Sequence, residues 1–126
     1  MQAVFGSKDL GHEGEGLAAA FLERQGFRIL ERNYRCRLGE VDLIVEKKGT
    51  IHFVEVKTRR SVNKVSPLEL ISKNKQRHIS RVAQHYFAQK KLSDVSGDFS
   101  LVIVDWSQQD PSCEFLPGVF ELAWGY

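Results

Sequence analysis

Apolar residues change their spacing along this chain, and the changes mark out its elements. Leu17, Ala18, Phe21 and Leu22 fall at helical spacing, which predicts a helix from about Gly11 to Gln25. Gly26 is a natural stop for it, because glycine takes a left-handed backbone cheaply. Phe27 to Tyr34 then reads as a half-exposed strand interrupted by Arg28, Glu31 and Arg32. Val41 to Glu46 and Ile51 to Lys57 are richer in β-branched and aromatic residues and read as two further strands. The short polar segment Lys47-Lys48-Gly49-Thr50 between them signals a β-hairpin.

The second half repeats the alternation. Thr58 to Ser66 is polar and basic, with no apolar period to anchor it, and is expected to be the least ordered internal segment. Ser66-Pro67-Leu68-Glu69 has the form of a capping box, and Ser72 offers a second start. The helix that follows, to about Lys91, places Ile79, Val82, Ala83, Tyr86 and Phe87 on one face. Phe99 to Trp106 is the most apolar strand and is expected at the centre of a sheet. The tail from Pro111, cut by Pro117 and Gly118, reads as an edge strand or irregular packing. The order α-β-β-β-α-β predicts an α/β fold, a mixed sheet flanked by helices. A length of 126 residues suits one domain, 1–126.

Composition narrows the classes. At 42% hydrophobic and 27% charged residues the chain is an ordinary globular sequence, not a disordered or collagenous one. No apolar run is long enough to span a bilayer, and no signal peptide is visible. Two cysteines cannot build a disulfide framework and lack zinc-site spacing, so a cytoplasmic location is expected. Net charge is only +2, but its distribution is uneven. From Lys57 to Lys91 stand ten basic residues, among them Arg59, Arg60, Lys64, Lys73, Lys75, Arg77 and Arg81, against the single acid Glu69. Such a block is either a surface for nucleic-acid phosphates or a solubilising face.

The chemistry concentrates in two strands. Gly39-Glu40-Val41-Asp42-Leu43-Ile44 sets Glu40 and Asp42 two apart, and Phe53-Val54-Glu55-Val56-Lys57 does the same for Glu55 and Lys57. Residues two apart in a strand share a face, so each strand is expected to carry an ionisable pair among apolar neighbours. One reading is a magnesium site, with Asp42 and Glu55 as oxygen ligands and Lys57 beside a phosphate. The other is a cross-strand salt-bridge ladder. Glu15, near the first helix's start, either answers the helix dipole or reaches the metal. Lys75 and Gln76 are either solvated helix residues or contacts to phosphate or metal-bound water.

The hairpin register bears on this choice. Setting Asp42 opposite Glu55 also sets Glu40 opposite Lys57 and Glu46 opposite Ile51, with Lys48-Gly49 as a two-residue turn or Lys47 to Thr50 as a loop. The competing register uses a three-residue loop, sets Asp42 opposite Val54 and turns Glu55 to the other face. The first is expected here, since it alone builds the site without a bulge.

The residues Gly11-x-x-x-Glu15-x-x-Ala18, Gly26-Phe27, Arg32-Asn33-Tyr34, Gly39 to Ile44 and Phe53 to Arg59 together resemble the YraN family of bacterial proteins. That family is similar to restriction-endonuclease-like nucleases, and among them to archaeal Holliday-junction resolvases. The resemblance implies a restriction-endonuclease-like αβββαβ core with a metal-dependent phosphodiesterase site. It implies Asp42 and Glu55 as ligands of Mg²⁺ or Mn²⁺, Lys57 as electrostatic catalyst, and Glu15 as an accessory acid. Glu40 and Gln76 are accessory candidates. The chain departs from the pattern at Ser100, which follows Phe99 where the family carries an acid; Asp98 is a candidate replacement.

The expected function is therefore a metal-dependent endonuclease that hydrolyses phosphodiester bonds in structured or branched DNA. Arg59, Arg60, Lys64, Lys73, Lys75, Arg77 and Arg81 are expected to bind the nucleic acid on the face that opens onto Asp42 and Glu55. No membrane partner is expected, and analogy with the resolvases suggests a homodimer. The rival readings are a non-catalytic nucleic-acid-binding module that retains the nuclease fold, and a protein-binding scaffold.

Overall fold

The computed structural model describes residues 7–60 and 71–120. In chain order it forms α1 (Ser7–Arg24), β1 (Arg28–Cys36), β2 (Gly39–Lys47), β3 (Thr50–Arg59), α2 (Lys73–Gln89), β4 (Ser96–Asp105) and β5 (Ser112–Phe120). The five strands form one sheet in the order β1-β2-β3-β4-β5. β1, β2 and β3 are an antiparallel meander, β3 and β4 are parallel, and β5 returns antiparallel to β4. This mixed α/β sheet with two helices is consistent with a restriction-endonuclease-like core. The one parallel step needs a crossover, and the connection that makes it contains α2.

Each helix covers one face of the sheet. Against α1 pack Leu43, Val45, Val54, Val102 and Val104, meeting Ala18, Ala19 and Leu22. Against α2 pack Ile44, Ile51, Phe53, Phe99 and Leu101, meeting Ile79, Val82, Ala83 and Tyr86. β3 and β4 are buried on both faces, which explains why their sequences are near-continuous apolar runs. α1 approaches β3 closely at Gly14, where an added Cβ would stand 2.6 Å from Thr58 Cγ2. A helix otherwise weakened by glycine thereby gains its contact with the sheet. Among the described residues, no helix is long and apolar enough to cross a membrane.

The boundaries depart from expectation at α1 and at β3. α1 begins at Ser7, ahead of Gly11. β3 runs on through Thr58 and Arg59, which pair with Val104 and Asp105 of β4. The start of the segment expected to be least ordered is therefore ladder, and its residues 61–66, with Lys64, lie outside the described residues, as does the Ser66 capping box. Ser72 is the N-cap of α2, its hydroxyl accepting from the Lys75 N–H at 3.1 Å. The tail is an edge strand, β5.

Candidate metal and phosphate site

The site grows out of the β2–β3 hairpin. Its turn is Lys48-Gly49, both at positive φ (52° and 82°), as a two-residue primed turn requires. The ladder runs Lys47↔Thr50, Glu46↔Ile51, Val45↔His52, Ile44↔Phe53 and Leu43↔Val54. This is the register expected from the sequence. Pairing stops one step short of Asp42 and Glu55. There the Val56 N–H, which points toward β2, donates instead to Asp42 Oδ2 at 2.8 Å. A side-chain oxygen has replaced a strand carbonyl, and the two strands part around it.

A change of face in β1 and β2 accompanies this parting. Val41 belongs to the α2-side core and Leu43 to the α1-side core, although they are two apart. On β1 the same reversal separates Arg32, which pairs with Glu23 of α1, from Tyr34, whose ring meets Tyr86 of α2. Between them stands Asn33 at φ 51°. One left-handed residue in a strand sends the side chains on either side of it to opposite faces. Period-two alternation therefore breaks at Asp42, although Glu40 and Asp42 line one cleft. Glu40 does not meet Lys57: it pairs with Arg35 of β1 at 3.1 Å.

β3 keeps its alternation, so Glu55 and Lys57 both lie on the α2 side. The Glu55 side chain is only 7% exposed, and Lys75 of α2 places its Nζ 2.9 Å from Oε1. Burial pushes the Glu55 carboxyl up to about 8, and a hydrogen bond to Asp42 and that neighbour's negative charge push the same way, against Lys75. Burial pulls the Lys75 ammonium down, but its bond to Glu55 and the charges of Glu55, Asp42 and Glu40 outweigh that and raise it. Two carboxyl groups thus stand together with one ammonium between them and α2.

On the other side of Asp42 is an open cleft lined by Glu15, Asn33, Arg35, Glu40, Val41 and Asp42. A neighbouring hollow shares Glu15 and Asn33 and adds Gly16, Arg32 and Leu43. Glu15, from α1, is thus brought to the same opening as Asp42. Asp42 and Glu55 offer hard oxygen donors, the type Mg²⁺ and Mn²⁺ take, with water and phosphate completing the shell. Among the described residues no group of three or more His, Cys, Asp or Glu could hold an ion. Asp42 and Glu55 are the two carboxylates that would contribute to such a shell.

The basic residues do not gather here as expected. Lys57 is half-buried, level with Ile103 of β4, and takes part in none of the ion pairs found among the described residues. Arg59 is tied to Asp105 at 3.0 Å, and Arg60 follows at the end of β3. Lys73, Arg77 and Arg81, each four residues from the next, are exposed on the side of α2 turned away from the sheet. Lys75 alone of the α2 cations reaches the carboxylates. Gln76 instead donates to Ile71 O at 3.4 Å. Asp98 is engaged by His52 Nδ1 at 2.7 Å and Ser100 Oγ at 2.8 Å, level with His52 and toward the hairpin turn. Asn33 and Arg35 were missed by sequence reasoning; Asn33's departure from strand alternation is the signal that finds it.

A family model, Uncharacterised protein family UPF0102, matches residues 14–104, which include Glu15, Asn33, Asp42, Glu55 and Lys75. A UPF0102 protein of Geobacter metallireducens is 42% identical over 118 residues, covering 94% of this chain and 97% of that protein. One of Syntrophus aciditrophicus is 43% identical over 115 residues, 91% of each. One of Caldicellulosiruptor saccharolyticus is 46% identical over 97 residues, covering 77% of this chain and 82% of that protein.

Proposed function

The chain belongs to Uncharacterised protein family UPF0102, the YraN family, and within it we propose a metal-dependent endonuclease acting on structured or branched DNA. The observation that carries the reading is the pair of adjacent carboxyl groups, Asp42 and Glu55, where β2 and β3 part, with Lys75 2.9 Å from Glu55. Glu55 is buried and Asp42 half-buried, so ionising both leaves them a single ammonium, and a divalent ion would supply the missing positive charge. Asp42 and Glu55 would hold Mg²⁺ or Mn²⁺, which when bound acidifies water and polarises a phosphoryl oxygen.

The protein's own residues would do the rest. The Val56 N–H fixes the Asp42 carboxylate. Lys57 and Lys75, on the Glu55 side, would offset charge developing on the phosphate. Glu15, across the cleft, would hold a water or accept its proton. The exposed row Lys73, Arg77 and Arg81 would carry a flanking stretch of backbone rather than the scissile phosphate. By analogy with two-fold resolvases, the working form would be a homodimer.

The test is cleavage of junction, flap and linear DNA, and of RNA, by purified protein with Mg²⁺ or Mn²⁺. Asp42→Ala and Glu55→Ala are expected to lower the rate by more than about a hundredfold, beyond what loss of an outer-shell partner costs. Cleavage at the parent rate in both variants would overturn the reading. A second reading, a module that binds without cutting, is favoured by one observation: Lys75 already partners Glu55. It predicts salt-sensitive binding with no metal-dependent cleavage on any of these substrates.

A further inference from the structure

We infer that Asn33 is a positioning residue of the site: its left-handed backbone turns Asp42 out of the sheet's alternation and aims its carboxylate at β3. The inference rests on the proposed role of Asp42 and Glu55 and adds the device that brings them together.

Three observations carry it. Asn33 has φ 51° in the interior of β1, where a strand residue is normally far into negative φ. The registers Arg32↔Leu43 and Tyr34↔Val41 place Asn33 across from Asp42. Both strands change face at these two residues: Arg32 and Leu43 belong to the α1 side, Tyr34 and Val41 to the α2 side. Without the reversal Asp42 would point squarely to one face, as its neighbours do. With it, the carboxylate reaches β3 and takes the Val56 N–H at 2.8 Å. Asparagine suits the task because, among residues with a Cβ, it is one of the few that accept the left-handed region readily. Its side chain also lines the cleft beside Glu15 and Asp42. A purely structural bend could stand anywhere along β1; this one stands across from the candidate ligand.

The direct readout is the Val56 amide, whose acceptor is Asp42, compared with the Val54 amide in the regular ladder. Amide hydrogen exchange of Asn33→Gly, Asn33→Ala and Asn33→Val is measured beside the parent and Asp42→Ala. Asn33→Gly keeps access to positive φ and is expected to protect Val56 as the parent does. Asn33→Val, β-branched and averse to that region, is expected to lose Val56 protection relative to Val54 by about tenfold or more, as Asp42→Ala does. If Asn33→Val does not fold, Asn33→Ala carries the same comparison with a smaller loss. Unchanged Val56 protection in Asn33→Val or, failing that, Asn33→Ala overturns the inference, as does equal loss in Asn33→Gly, which would assign the effect to the amide group. Mn²⁺ binding followed by calorimetry on the same proteins reports separately on the metal. A parent that binds no Mn²⁺ sinks the metal reading and leaves the Val56 comparison to decide on Asn33.

Discussion

The two ends of the β2–β3 hairpin are built from neighbouring residues of the same strands and behave oppositely. At the turn end every residue from Leu43 to Lys47 has its partner, the twist is set by Lys48-Gly49, and Ile44, Val45, Ile51 and Phe53 are buried. At the other end pairing stops, a carboxylate replaces a strand carbonyl, and a nearly buried glutamate is left to a lysine from α2. Local rules suffice for the first end: a tight turn and apolar side chains in alternation. The second draws on residues of α1, β1, β2, β3 and α2 that lie far apart in sequence. The lesson is that this hairpin's regular packing and its candidate site occupy separate ends.

The largest effect is expected at the closed end. Phe53→Ala empties a fully buried position that meets Tyr86 and Phe87 of α2, and should cost about 3–5 kcal/mol in urea unfolding. A loss under about 1 kcal/mol would mean that this end is not where the stability resides.

A smaller effect, of a different kind, belongs to the open end. Glu55 has its carboxyl raised to about 8 by burial and by Asp42. Folding therefore favours the protonated group, so stability without metal is full below about pH 4.5, the ordinary value, and falls as pH rises toward about 8. Glu55→Gln, which stays neutral, should flatten this part of the profile. Equal slopes for the two proteins between pH 5 and 8 would place the carboxyl in a far wetter setting.

The smallest effect is at the turn. Gly49→Ala adds a Cβ at φ 82° and should cost about 1–2 kcal/mol, with no change in the relative protection of the Val56 amide. A shift at Val56 would show that the two ends are mechanically joined.

The closed end was also the legible one. Register followed from requiring Asp42 and Glu55 on one level, which left Lys48-Gly49 as a turn or Lys47 to Thr50 as a loop, and the structure takes the turn. Ser72 could be read as a cap, and the apolar run from Phe99 as a central strand. The open end was only half legible. Asp42 and Glu55 stood out as carboxylates among apolar residues, but period-two reasoning assumes an unbroken strand, and Asn33 breaks it. It likewise singled out Lys57 because it shares a face with Glu55. The lysine that touches Glu55 is Lys75, from an element whose approach no strand pattern reveals. Arg59 read as a free cation because its partner, Asp105, lies on a strand brought alongside by the crossover. Pairing across a parallel step leaves no local trace in sequence.

That parallel step also has a consequence in time. Contacts within the β1-β2-β3 meander close short loops, whereas β3 can meet β4 only after the whole intervening stretch, α2 included, has been gathered in. Long closures form slowly, so the hairpin is expected to condense first and β4 to dock late. Conservative truncations in β2 and β3 should then slow folding, while truncations at Leu101 or Val102 should chiefly speed unfolding. On such a route Asp42 and Glu55 meet before Lys75 arrives, and the nascent hairpin carries two neighbouring acids without their α2 ammonium until that helix closes over them.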